Sequence, residues 1–144
     1  MNVEDAELRQ AISVAESYRQ RVEALSRQVQ VLRVSLNEVS LASDALKAFK
    51  SAKDGDEIMV PIAANSFITV KVTPNRNVIV DVGSDISVEK DVDSAIGYME
   101  ANSAEISEAL KKTMEALGES QDALNNLTAA IQNEYDARKQ QQIQ

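Results

Sequence analysis

The 144-residue chain has no cysteine, no histidine and no tryptophan, and only two phenylalanines and three tyrosines. Each absence excludes something. Without cysteine there is neither a disulfide nor a thiolate metal site, which fits a reducing interior. Without histidine, the side chain most often used for acid–base work near neutral pH is missing. With so few aromatics, the residues that dominate burial in most compact cores are scarce, so a thick globular core is not expected. Neither glycine nor proline occurs before Gly55. No apolar run approaches the ~18 residues of a membrane span. The acidic start, Met1-Asn2-Val3-Glu4-Asp5-Ala6-Glu7, lacks the apolar core of a signal peptide. The formal charge of −8 argues against a phosphate-backbone partner and against an anionic membrane surface. The chain is therefore read as soluble and cytoplasmic, with no nucleic-acid or membrane partner.

What remains is rich in Ala, Val, Leu, Glu, Gln and Ser, a composition suited to long helices. Stepping by three and four from Leu8 gives Leu8, Ala11, Ala15, Tyr18, Val22, Leu25, Val29, Leu32, Leu36, Val39, Ser43 and Leu46. A spacing of 3.5 residues keeps one narrow seam facing a partner helix, the pattern of a left-handed coiled coil. Arg9, Arg19, Arg21, Glu23 and Arg27 lie between as a solvated face. Ile12, Val14, Val31, Val34 and Leu41 fall off the seam. A two-stranded coil cannot bury them too, so either a third element covers them or they face a client. Leu41 with Ala42, Ala45 and Phe49 widens the apolar face where the arm meets the centre.

A second stripe runs Val92, Ile96, Met99, Ser103, Ile106, Leu110, Thr113, Leu117, Ser120, Leu124, Leu127 and Ile131. Its polar members make it the weaker seam. Gly97 and Gly118 each cost about 1 kcal/mol against Ala in a helix interior, and Gly118 is the candidate for a bend. If the arms run antiparallel, Ile131 lies near Leu8 or Ile12, with both termini together. The polar tail 138–144 is expected to fray.

Between the arms the period changes. Lys53-Asp54-Gly55-Asp56 reads as a helix stop and turn. Residues 57–62, 67–73, 78–82 and 86–89 read as short strands rich in β-branched residues. Pro61 has no N–H to donate and belongs at an edge or bulge. Pro74-Asn75-Arg76-Asn77 is a turn by composition. Four strands imply two hairpins, which bury little by themselves and leave edges ready to pair. The economical solution is that several chains join edge to edge into a larger sheet or barrel.

The expected fold class is thus α+β: a long antiparallel α-helical coiled coil with two central β-hairpins. The expected divisions are 1–52 for the N-terminal coil, 53–90 for the hairpins and assembly, and 91–144 for the C-terminal coil. No phosphate-binding loop, zinc motif or nucleophile elbow occurs. Asp54, Asp56 and Glu57 lack the spacing of a calcium loop. No catalysis, cofactor or metal is expected.

The centre also resembles a known family, the archaeal-type prefoldin α subunits. Ile58-Met59-Val60-Pro61-Ile62-Ala63-Ala64-Asn65-Ser66-Phe67 is similar to that family's Val-Pro…Ser-Phe stretch. Val80-Asp81-Val82-Gly83 followed by Ile86-Ser87-Val88-Glu89-Lys90 is similar to its second hairpin. Ala95-Ile96-Gly97-Tyr98-Met99-Glu100 is similar to the opening of its second helix. Ala63 and Asn65 stand where the family usually has glycines. Asn65 tolerates positive φ, whereas Ala63 implies an altered first turn.

The resemblance implies an ATP-independent holdase in which two α and four β subunits join through their hairpins into a double β-barrel. Coiled-coil tips would bind unfolded clients and pass them to a group II chaperonin. The residues it assigns to the tip are Val3, Leu8, Ile12, Leu127, Ile131 and Tyr135. Those assigned to assembly are Val60, Ile62, Phe67, Ile68, Val70, Val78, Val80 and Val82. A structural coiled-coil module whose arms pair between chains, or a prefoldin-like relative that assembles alone, would share the same coil–β–coil order.

Overall fold

The computed structural model describes residues 3–143, the side chain of Val3 excepted. The elements run α1 (Val3–Ser51), β1 (Glu57–Ala63), β2 (Ser66–Lys71), β3 (Asn77–Asp81), β4 (Ser87–Asp91) and α2 (Val92–Ile143). They divide into a terminal unit, Met1–Val34 with Ser107–Gln144, and a central unit, Ser35–Ile106.

Both long helices follow from their sequences. α1 meets no glycine or proline, carries Glu4 and Asp5 in its first turn and Lys50 in its last, and so complements its own dipole at each end. α2 is continuous through Gly97, Gly118 and the polar tail as far as Ile143. The helix is not interrupted at Gly118, the candidate for a bend, and the expected fraying of the tail is corrected for residues 138–143; Gln144 lies outside the described residues. The tail is held by a long-range tie: the Arg138 guanidinium donates to Asp5 Oδ1 at 2.6 Å and to Glu134 Oε1 at 2.9 Å.

Every seam position read from the heptads is buried or half-buried, in both helices. Within the terminal unit Asp5 meets Arg138 and Arg33 meets Met114. Within the central unit Lys47 meets Glu100 and Lys50 meets Asp93. As one number rises the other falls, so the helices are antiparallel in each unit. The exposed ion pairs add little stability; covering the apolar stripe is the main term. The polar seam members Ser43, Thr113 and Ser120 are buried. The Thr113 hydroxyl is satisfied by donating to the Ala109 carbonyl at 2.8 Å.

In the central unit β1 pairs with β2, and β3 with β4, both antiparallel, as two separate two-stranded sheets. The register of β1 slips between Pro61 and Ala63, where the missing proline N–H would otherwise leave a gap in the ladder. Beyond Lys71 the chain still pairs: the Val72 N–H donates to Asp56 O, and Val72 O accepts from Gly55 N–H. That turn uses Gly55 at φ 86°. The first hairpin turns on Ala64 (φ 49°) and Asn65 (φ 58°), the second on Ser84 (φ 53°) and Asp85 (φ 58°). Asn65 does take the left-handed conformation, but the second strained position is Ala64, not Ala63.

Two polar contacts fix the joints. Arg76, between the hairpins, donates to the Phe49 carbonyl (2.7 Å) and to Asp54 (2.8 Å), and lies 5.2 Å from the Phe49 ring centroid. It thereby gives a second, shorter bond to a last-turn carbonyl of α1 that otherwise accepts from the Ala52 N–H at 3.3 Å. Asp91 ends β4 and directly precedes α2. Its carboxyl pKa is lowered, chiefly by a hydrogen bond from the Ser94 side chain and also from the Ser94 backbone, as expected of an N-cap. The buried apolar residues of this unit are Val72, Val80, Val92 and Ala95.

Candidate functional site

The terminal unit brings together most of the residues assigned to client contact. Leu8, Leu127 and Ile131 are half-buried because they also serve the seam. Ile12 (40% exposed) and Tyr135 (50%) are turned to solvent. Ile131 is shared by two clefts. One, of about 360 Å³, is lined by Glu4, Glu7, Leu8, Ala11, Ala130, Ile131 and Glu134. The other, of about 220 Å³, is lined by Ile12, Ala15, Glu16, Arg19, Thr128, Ile131, Gln132 and Tyr135. Leu127 lines neither, and the side chain of Val3 lies outside those described.

Arg138 closes this end of the helix pair. Its hydrogen bonds to Glu134 and then Asp5 raise its pKa above the ordinary arginine value, so it stays charged. Sequence reasoning placed Arg138 in a loose tail; nothing local signals a partner more than a hundred residues away. Val31 and Val34, off the seam, are exposed. A further cleft of about 440 Å³ lies along α2 at Ser107, Leu110, Lys111, Met114 and Glu115.

The central unit holds the strand residues. Val60, Val70 and Val78 are half-buried; Ile62, Phe67, Ile68 and Val82 are exposed. Val80 is only 2% exposed, so its side chain is already taken up within its own chain and is not offered to another. The most exposed apolar strand residues are Ile79 (76%) and Met59 (68%), neither of which is among the assembly residues expected from sequence. Val78-Ile79-Val80 is apolar throughout, so alternation could not tell which side chain points inward. Each strand has one partner, and its other edge carries N–H and C=O groups free to pair. A cleft of about 230 Å³ is lined by Ala45, Ala48, Phe49 and Ala52 of the α1 end and by Ile58 and Met59 of β1.

Apolar clefts and bare sheet edges hold other chains by burial and by main-chain pairing. Among the described residues no group of three His, Cys, Asp or Glu gathers to hold a metal ion, and no helix is long and apolar enough to cross a membrane. The arrangement defines a class: an assembling coiled-coil–hairpin subunit.

Comparison with known proteins names the family. Residues 18–137 match the prefoldin subunit family. The chain is 32% identical over 125 residues to prefoldin subunit alpha of Pyrococcus horikoshii, covering 86% of this chain and 78% of that protein. It is 33% identical to prefoldin subunit alpha of Thermofilum pendens, over 68% of this chain and 76% of the other. Two solved structures share the fold. One is the filamentous PFD of Methanocaldococcus jannaschii, with TM-score 0.66, 22% identity, and coverage of 85% of this chain and 98% of that one. The other is the prefoldin beta subunit of Thermococcus strain KS-1, with TM-score 0.57, 17% identity, and coverage of 88% and 90%. The chain belongs to the prefoldin family of chaperone subunits, and its alpha relatives match over most of its length.

Proposed function

We propose that this chain is the α-type subunit of an ATP-independent holdase that works in the cytoplasm. Residues 53–90 form its assembly region and join two copies to four β-type subunits in a heterohexamer. The ends of the arms, 1–52 and 91–144, bind unfolded proteins through Val3, Leu8, Ile12, Leu127, Ile131 and Tyr135. Bound clients are kept from aggregating and delivered to a group II chaperonin.

The observation that carries this reading is the pair of clefts meeting at Ile131, with Ile12 and Tyr135 exposed beside them. Single contacts of this size are weak, and several arms acting on one client would make them strong together. The free strand edges support assembly, and pairing of the two helices within one chain disfavours a module whose arms pair between chains. A second reading, self-assembly, is favoured by the fold shared with a filamentous prefoldin.

Native mass, measured alone and after co-expression with a β-type subunit of the same source, separates the two. A mixed hexamer with two copies of this chain supports the holdase subunit; a homopolymer that ignores the partner supports self-assembly. Deleting residues 1–14 and 127–144 is expected to abolish suppression of client aggregation and leave the oligomer intact. Loss of the oligomer would sink the assignment of those segments to clients.

A further inference from the structure

The two clefts at Ile131 differ in charge. The 220 Å³ cleft carries Glu16 and Arg19, which neutralise each other in a 2.6 Å ion pair. The 360 Å³ cleft has an apolar floor of Leu8, Ala11, Ala130 and Ile131, and among the described residues its charged lining is Glu4, Glu7 and Glu134, all acidic. Arg138 is already held by Glu134 and Asp5 and donates to the Glu4 backbone carbonyl at 3.2 Å. Among the described residues no cation pairs with Glu4 or Glu7. Glu4 has a local explanation, since a carboxylate in the first turn of α1 complements the helix dipole. Glu134 is paired with Arg138; Glu7 lies beyond that turn, so among the described residues neither the dipole nor an ion pair accounts for its carboxylate beside the apolar floor.

Taking the client-binding proposal as its basis, we infer that this cleft selects unfolded segments in which an apolar residue is flanked by Lys or Arg. The apolar side chain sits over Leu8 and Ile131, and the flanking cation meets Glu7 and its neighbours on the rim. Complementary charge of this kind discriminates between partners of equal apolar area and speeds their encounter. It is also screened by salt, because the rim is open to water.

The test uses the full chain in its native assembly and three labelled unfolded peptides. They share one apolar core and differ only in flanking Lys, Ser or Glu residues. Fluorescence anisotropy is expected to show the Lys-flanked peptide binding about three- to tenfold tighter than the Ser-flanked one at low salt, and the Glu-flanked peptide weakest. The spread should close at ~0.5 M salt. The double substitution Glu4→Gln with Glu7→Gln, checked for unchanged helicity by circular dichroism, should remove most of the preference while leaving Ser-peptide binding in place. Equal binding of all three peptides at low salt would overturn the selectivity and leave the holdase reading standing. Binding of none, with no suppression of client aggregation, would overturn both.

Discussion

The two hairpins are alike in length and topology and unlike in what they cover. In β3–β4 one face places Val80 in the chain's own core with Val78 half-buried, while the other face is polar but for Ile79, which sits opposite Glu89. In β1–β2 no side chain is fully buried. Apolar residues occupy both of its faces: Ile58, Val60, Ile68 and Val70 on one, Met59 and Phe67 on the other, with Ile62 exposed at the bulge. The second hairpin is part of the fold of its own chain. The first carries exposed apolar side chains on both faces, and the proposed assembly surface is placed there.

The strongest way to break this comparison is to put a charge in each hairpin. Val80→Asp buries an unpaired carboxylate and should cost about 3–4 kcal/mol, seen as a large drop in the thermal midpoint followed by circular dichroism. Phe67→Asp should change the stability of the isolated chain by about 0.5 kcal/mol or less, yet lower the native mass by preventing assembly. If Phe67→Asp unfolds the chain, or Val80→Asp spares it, the division of labour between the hairpins is wrong.

A milder change sharpens the same contrast. Ala64 holds φ 49°, a conformation that costs an L-residue roughly 1–2 kcal/mol, part of which Gly would return to the more flexible unfolded state. Ala64→Gly should therefore stabilise the first hairpin by about 0.5–1 kcal/mol. Hydrogen exchange of the β1–β2 amides should slow about threefold, with little change in the protection of β3–β4.

The smallest effect concerns acid. The Asp91 carboxyl has a lowered pKa, so its contribution is present above the ordinary aspartate range and is lost as pH falls through the folded value. Wild-type α2 should lose some helicity at its start in that acid window, and Asp91→Asn should flatten this part of the pH profile, as followed by NMR of the Ser94 amide.

Much of this architecture was legible because two periods were clean. The 3.5-residue stripes identified the covered face of each helix, and β-branched runs broken by Gly55, Pro74 and Gly83 identified the strands. The sidedness of β3 was not legible, since three consecutive β-branched residues carry no alternation. Nor were Arg76 and Arg138, whose partners are set by chain reversal and not by neighbours in sequence. Of the candidate client residues, the stripes contain Leu8, Leu127 and Ile131. The different charge character of the clefts beside them, one with a balanced ion pair and one acidic, depends on which side chains the antiparallel register brings together.

No residue separates β4 from α2, whereas Ala52 to Asp56 separate α1 from β1. The angular phase of α2 is therefore set by the strand that feeds it. One residue inserted between Asp91 and Val92 would turn the following helix by roughly 100° about its axis and swing its stripe out of alignment, while seven would nearly restore it. At this joint an insertion acts as a rotation, and the length of the connection works as a setting for azimuth.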